Sequence, residues 1–283
     1  MDCVKPSITP METTCKLSKN DSKLFDNPTL FRLVVGALQY ATITRPDLAY
    51  SVNKVCQFMS QHLEQHWVAV RRILRYLQGT TTFGIHLKVA AAPTLPIHLT
   101  ALCDADWTTY LDDRKSISGA CLFIGPHIIT WWSKKRQRIS RSSTEGEYRS
   151  LALASKEMIW VESLFSELKV PHQVPLILCD NLSTVAMAHN HVLHKRTKHI
   201  ELDLFFVRDK IQAKSLQVKH IPSDFETADV LTKPLATTRF LALRKQLRVV
   251  DLASLVKLPS VSGGSVSYLR VRFSLPYGLI IMS

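Results

Sequence analysis

The sequence predicts an α/β protein, a mixed sheet with flanking helices that follows a small all-helical segment. Three observations predict it. Residues 97–132 form three short apolar or alternating stretches, the last two separated by Gly125-Pro126, as in a three-strand meander. From about Thr144 helical spacing takes over and alternates with short apolar runs at Leu176–Cys179 and Leu216–Ile221, which is how strands joined by helices are written. Before the meander, residues 29–79 carry only the three-and-four spacing of helices.

In chain order, residues 1–27 are polar, lack periodicity and contain Pro6 and Pro10, which predicts an extended arm. Leu30, Leu33, Val34, Ala37 and Leu38 begin a first helix, and Arg45-Pro46-Asp47 is a stop and restart. Leu48, Val52, Val55 and Met59, then Val70, Ile73, Leu74 and Leu77, give two more helices ending at Gly79. The helical unit is placed at 28–90, with AAAPTLP (90–96) as a linker and domain boundary. The α/β domain is placed at 96–249, in the order βββ-α-β-α-α-β-α. Its long helix runs from about Thr144 to Leu168, a later one from Ile200 to Gln212, and helical spacing continues to Leu247. Residues 250–283 read as an irregular tail.

Composition is that of a globular chain of 283 residues, 46% hydrophobic and 21% charged. The 36 Lys and Arg against 23 Asp and Glu leave a net charge of +13, a field suited to a polyanion such as nucleic acid. The six cysteines form no Cys-x-x-Cys pair, so no zinc-ribbon or thioredoxin-like motif is expected, and free thiols in a reducing compartment, cytoplasmic or nuclear, are. No apolar run has the length of a signal peptide or membrane span, so neither secretion nor a membrane partner is expected.

Four carboxylates stand at element ends. Asp104 closes the first strand of the meander, Glu145 opens the long helix, Asp180 closes the fourth strand, and Asp229 opens the final helix. Strand ends and helix starts of such a sheet meet at one edge, where ligands bind. A set of oxygen donors suits Mg²⁺, or Mn²⁺, and two such ions can serve both the attacking and the leaving oxygen of a phosphodiester. Each acid also has a structural reading. Asp104 and Asp106 can mark a solvated turn, Ser142-Ser143-Thr144-Glu145 spells a capping box, and Asp180 and Asp229 can cap the helices that follow them.

Seven motifs in order give a more specific reading. They are Asp104-Ala-Asp-Trp107, Asp113-Arg-Lys-Ser-Ile-Ser-Gly119, Trp132-Ser-Lys-Lys135, Ser140-Arg-Ser-Ser-Thr-Glu-Gly-Glu-Tyr148, Cys179-Asp-Asn181, Arg196-Thr-Lys-His-Ile-Glu201 and Ala228-Asp-Val-Leu-Thr-Lys233. The set resembles the ribonuclease H region of copia-type retrotransposon polyproteins. Residues 38–47 and 71–79 resemble the stretch joining the reverse transcriptase palm to it, so the resemblance runs from about Asp26 to Val249. It implies a ribonuclease H-like five-stranded mixed sheet after a small connection domain, in the C-terminal part of a Pol polyprotein. It also implies hydrolysis of the RNA strand of RNA–DNA hybrids with two Mg²⁺ ions on Asp104, Glu145, Asp180 and Asp229. Glu145 is preferred to Glu147 because it follows Thr144 at the helix start. No small-molecule cofactor is implied, and the polymerase palm and fingers are the expected partners in the intact polyprotein. The resemblance includes a mobile histidine near the last carboxylate; His220 is the one histidine nearby, and that role stays open.

Lys134, Lys135, Arg136, Arg138 and Arg141 lie beside the expected site and can hold duplex phosphates or simply be solvated. Trp107, Trp131 and Trp132 read as sheet packing more than as stacking platforms. Tyr110-Leu111-Asp112-Asp113 spells the polymerase Tyr-x-Asp-Asp signature but runs straight into Arg114-Lys115-Ser116 with no palm-like sequence before it, so a coincidence and no polymerase activity are expected. His189, His191, His194 and His199 lack zinc-finger spacing and read as a loop near nucleic acid. A catalytically inactive, truncated remnant that at most binds nucleic acid is the alternative. A sequence-specific DNA binder is disfavoured by the lack of helix-turn-helix or finger patterns.

Overall fold

The structure is a computed structural model that describes residues 4–20, 22–87, 96–107, 112–190 and 200–256. Most of the linker expected at 90–96, Tyr110 and Leu111, His191, His194 and His199, and the tail beyond residue 256 lie outside the described residues.

The helical segment consists of α1 (Pro28–Ala41), α2 (Ala49–Cys56) and α3 (Glu64–Gln78). Asn27 caps α1 by accepting the Leu30 N–H at 2.9 Å, and Pro28 fills the first position, where a missing N–H costs nothing. A 3₁₀ turn at Pro46–Leu48 provides the expected stop and restart. The arm has no helix, but it is not free. Met11 and Leu17 are buried, the Ser7 N–H donates to the Arg75 carbonyl, and Arg72 pairs with Glu12, so the arm lies along α3.

Charge is buried where this segment turns. Arg45 and Asp47 form a two-pronged ion pair at 2.9 and 2.8 Å, Arg45 also donates to Thr80, and the Tyr76 hydroxyl donates to Asp47 at 2.6 Å. Arg244, far along the chain, donates to the Tyr76 oxygen at 3.1 Å. Removing one member strands the others without water. Asp47→Ala is therefore expected to cost about 3–5 kcal/mol in urea unfolding, and a loss below about 1 kcal/mol would contradict the network.

The sheet contains β2 (Leu99–Asp106), β3 (Ile117–Ile124), β4 (His127–Lys135), β5 (Leu176–Cys179) and β6 (Gln217–His220), in the order β4-β3-β2-β5-β6. β2, β3 and β4 form an antiparallel meander, and β5 and β6 join in parallel. Gly125, at φ +53°, makes the β3–β4 turn in a conformation that glycine adopts without strain. This is the mixed five-stranded sheet that the resemblance implies.

Helices α4 (Ser143–Glu167), α5 (Leu182–His189) and α6 (Glu201–Gln212) cover one face, with Tyr148, Leu151, Met158, Ile177 and Leu204 in the core. The other face carries α7 (Asp229–Thr232) and α8 (Thr237–Gln246) together with the helical segment. Phe31, Val55, Ile73 and Tyr76 join Ile117, Cys121, Leu231 and Leu243 in one continuous core, so the segment and the sheet's second face bury each other. A two-stranded ribbon, β1 (Phe83–Ile85) with β7 (Val249–Asp251), ties the end of that segment to the chain after α8. The helical stretch expected from β6 to Leu247 is instead divided. Pro234 disfavours helical backbone at Lys233, which sits extended at φ −141°, ψ 156° and separates α7 from α8. Among the described residues no helix is long and apolar enough to cross a membrane.

Candidate active site

The ends of β2 and β5 and the starts of α4 and α7 meet at one edge of the sheet. Asp104 is 3% exposed on β2, with Gly119 of β3 directly beside it. A Cβ at Gly119 would stand 2.7 Å from Leu231 Cβ and 2.9 Å from Thr232 Cγ2. The bare glycine thus lets α7 close onto the strand. That approach brings Thr232, whose hydroxyl donates to Asp104 Oδ2, and Asp229, which is 6% exposed. The Lys233 ammonium lies between the two acids, 2.8 Å from Asp229 Oδ1 and 3.6 Å from Asp104 Oδ2, and Arg239 reaches Asp229 Oδ2 at 3.3 Å. Asp180, at the end of β5, is half-buried and accepts from the Ser223 hydroxyl at 2.8 Å.

On α4 the structure departs from expectation. Glu145 points to Arg149, one turn on, at 2.7 Å, and its other oxygen accepts the Arg141 N–H at 2.7 Å. Glu147 is the α4 acid that faces the cluster. It is 6% exposed, a carboxylate oxygen lies within 4.8 Å of an Asp180 oxygen and of the Cys179 sulfur, and Oε2 has no hydrogen-bond partner. The physical reason is helical phase. Glu147 shares its side of α4 with the inward Leu151, whereas Glu145 is paired in sequence with Arg149. The expectation placing Glu145 with Asp104 and Asp180 is thus corrected, and the signal that could have found Glu147 was its spacing from Leu151.

The electrostatics are those of crowded anions. Burial, and then Asp104, Cys179 and Asp180, push the Glu147 carboxyl up to about 11. Burial, opposed by Lys233 and reinforced by Asp229 and Asp180, lifts Asp104 to about 6. Burial likewise raises Glu226, a fully buried acid near Asp104 and Asp180 that sequence reasoning did not single out. Lys233 is raised by Asp104 and Asp229 against the opposing effect of its burial, and it too was missed. An oxygen-rich cluster that holds protons so tightly, with an unpartnered buried oxygen inside it, fits hard divalent cations.

Asp104 and Glu147 titrate above the values of an unfolded chain, about 4, so the folded state holds their protons more tightly. That contribution is complete below about pH 4. It is lost as pH rises through about 6 for Asp104 and about 11 for Glu147. Chelator-treated protein is therefore expected to gain more in Tm from millimolar Mg²⁺ at pH 9 than at pH 5; equal gains would contradict the cluster.

Of the basic residues, Lys134, Arg138 and Arg141 are exposed, with Lys134 over the Trp132 ring at 5.3 Å. Lys135 is paired with Asp113 at 2.9 Å, and Arg136 is half-buried. Trp132 is buried, Trp131 donates to the Thr42 carbonyl, and Trp107 is 41% exposed while donating to the Ser140 carbonyl. His220 is exposed, one ring nitrogen 3.2 Å from the Asp180 carbonyl oxygen. His189 contacts the Val218 carbonyl at 3.0 Å.

The architecture is thus that of an α/β protein with a five-stranded mixed sheet and acids gathered at one edge. No protein-family model matches the chain. It is 42% identical over 261 residues to the retrovirus-related Pol polyprotein from transposon RE2 of Arabidopsis thaliana, covering 92% of this chain and 17% of that protein. The corresponding protein from transposon RE1 of the same plant is 44% identical over 241 residues, covering 85% of this chain and 16% of the relative. Over most of its length the chain is homologous to these retrovirus-related Pol polyproteins of transposons, and it spans about one sixth of their length. Among solved structures, LC11-RNase H1 isolated from compost is 14% identical with a TM-score of 0.39, over 48% of this chain and 92% of that one.

Proposed function

We propose that this chain hydrolyses the RNA strand of RNA–DNA hybrids, using divalent metal ions held by Asp104, Glu147, Asp180 and Asp229. The observation that carries the reading is the gathering of these carboxylates, from four separate elements, at one edge of the sheet, where Glu147 Oε2 is buried and unpartnered. Mg²⁺, or Mn²⁺, suits the oxygen donors; such ions supply an activated water and charge stabilisation at the leaving oxygen. The protein's own part is positioning. Thr232 orients Asp104, Ser223 orients Asp180, and Arg239 orients Asp229. Lys233 offsets the negative charge of Asp104 and Asp229 and so lets the cluster fold.

The exposed Lys134, Arg138 and Arg141 are placed to hold duplex phosphates, with Lys135 and Arg136 behind them. Recognition of the hybrid rests on helix shape and 2′-hydroxyls rather than on sequence. In the intact polyprotein, the polymerase palm and fingers deliver that hybrid.

The test uses a hybrid labelled on its RNA strand, with Mg²⁺ or with chelator. Wild-type protein is expected to release short RNA only with Mg²⁺, while Asp104→Asn and Asp180→Asn are at background. Equal rates in all three proteins, or cleavage undiminished by chelator, would overturn the proposal.

A further inference from the structure

One wall of the carboxylate cluster is sulfur. Cys179 is fully buried at the end of β5, and its Sγ, an oxygen of Glu147 and an oxygen of Asp180 lie within 4.8 Å of one another. Cys103, on β2, is its lateral neighbour. The parallel register sets Leu102 beside Leu178, so the next residues, both cysteines, stand side by side on the same face. Cys103 Sγ lies 3.8 Å from the Leu178 carbonyl oxygen. Glu147, a member of this group, has an Oε2 with no hydrogen-bond partner, on a side chain more than nine-tenths buried.

The donor set is one sulfur and two carboxylates. A thiolate is a poor ligand for magnesium, which takes oxygen, and a strong one for zinc and cadmium. Tetrahedral zinc accepts three protein ligands of mixed sulfur and oxygen type and leaves its fourth position to water. Asp180 is half-buried, so water and ions reach the group from its side.

We propose that Cys179, Glu147 and Asp180 form a binding site for a thiophilic divalent cation, zinc above all. The site overlaps the proposed hydrolytic centre and takes two of its carboxylates out of use. The metal site stands on these three side chains alone; its inhibitory consequence rests on the hydrolase reading above. Zinc binding releases the Cys179 thiol proton to solvent and forms one metal–sulfur bond. Magnesium, lacking affinity for sulfur, competes only for the two carboxylates.

Cadmium reports the bond directly, because a cadmium–thiolate bond absorbs in the ultraviolet. The full chain, titrated with Cd²⁺ in millimolar Mg²⁺, is expected to develop that charge-transfer band and saturate at one equivalent. Cys179→Ser should abolish the band and weaken binding by about a hundredfold. A Cys3→Ser, Cys15→Ser, Cys56→Ser triple variant should keep both. Glu147→Gln, which keeps the sulfur, should retain a band at weaker affinity, so the proposal stays testable if Cys179→Ser misfolds. A band of undiminished affinity in Cys179→Ser, or no band in the wild-type chain, would overturn it.

In the hybrid-cleavage assay, zinc at the concentration that displaces cadmium should inhibit wild-type protein, and any cleavage by Cys179→Ser should be insensitive to it. A wild-type chain that binds cadmium through Cys179 but cleaves no hybrid would sink the hydrolase reading and leave the metal site standing.

Discussion

Glu147→Gln is expected to reduce Mg²⁺-dependent hybrid cleavage by about a thousandfold or more, while Glu145→Gln stays within about tenfold of wild type. The two acids are two residues apart on one helix, yet they do different things. A Glu147 carboxylate oxygen lies near the Asp180 carboxylate and Cys179, and its Oε2 is unpartnered, whereas Glu145 is consumed by Arg149 and the Arg141 N–H. Stability should split the other way. With chelator present, Glu147→Gln removes a carboxyl that burial and neighbouring acids make costly to ionise, so Tm should rise by several degrees, on the order of 1–2 kcal/mol. Glu145→Gln weakens a buried ion pair and should lower Tm by a similar amount. Thermal melts and initial cleavage rates on the same preparations measure both. Loss of activity in Glu145→Gln, with Glu147→Gln unaffected, would reverse the assignment.

Gly119→Ala is the second large effect, from a residue with no chemistry of its own. Its new methyl would fall 2.7 Å from Leu231 Cβ and 3.2 Å from the Leu231 carbonyl carbon, so α7 must back away from β3. Overpacking of this kind costs about 1–3 kcal/mol. The larger consequence is at the site, because Asp229, Thr232 and Lys233 all ride on or beside α7 while Asp104 stays on β2. A displacement near 1 Å is worth about a hundredfold in rate. The expected signature is a low kcat, a raised Mg²⁺ requirement and a modest fall in Tm. Wild-type kinetics in Gly119→Ala would mean that α7 need not sit where it does.

The sheet was legible because its signals are local. The turn at Gly125, the apolar run Leu176–Cys179 and the long spacing through Tyr148 and Leu151 each follow from neighbours in sequence. Asp104, Asp180 and Asp229 were legible for a related reason: a strand or helix end fixes where they come to rest, and the structure brings all three to one edge. The choice between Glu145 and Glu147 is less legible, because position at the helix start favours the first and phase around the helix the second. Lys233 and Glu226 escaped for another reason. Lys233 matters through Asp104, 129 positions earlier, and Glu226 through burial that no neighbour of it announces. The arm's attachment to α3 was equally hidden, since irregular chain has no period to read.

The helices before the sheet share one core with its second face, and Tyr76 of α3 is gripped by Arg244 of α8. Heating should therefore melt the described part in a single cooperative step, with calorimetric and van't Hoff enthalpies in agreement. Whatever neighbour takes hold of that helical platform will be pulling, through solid contacts, on the floor from which Asp229 rises.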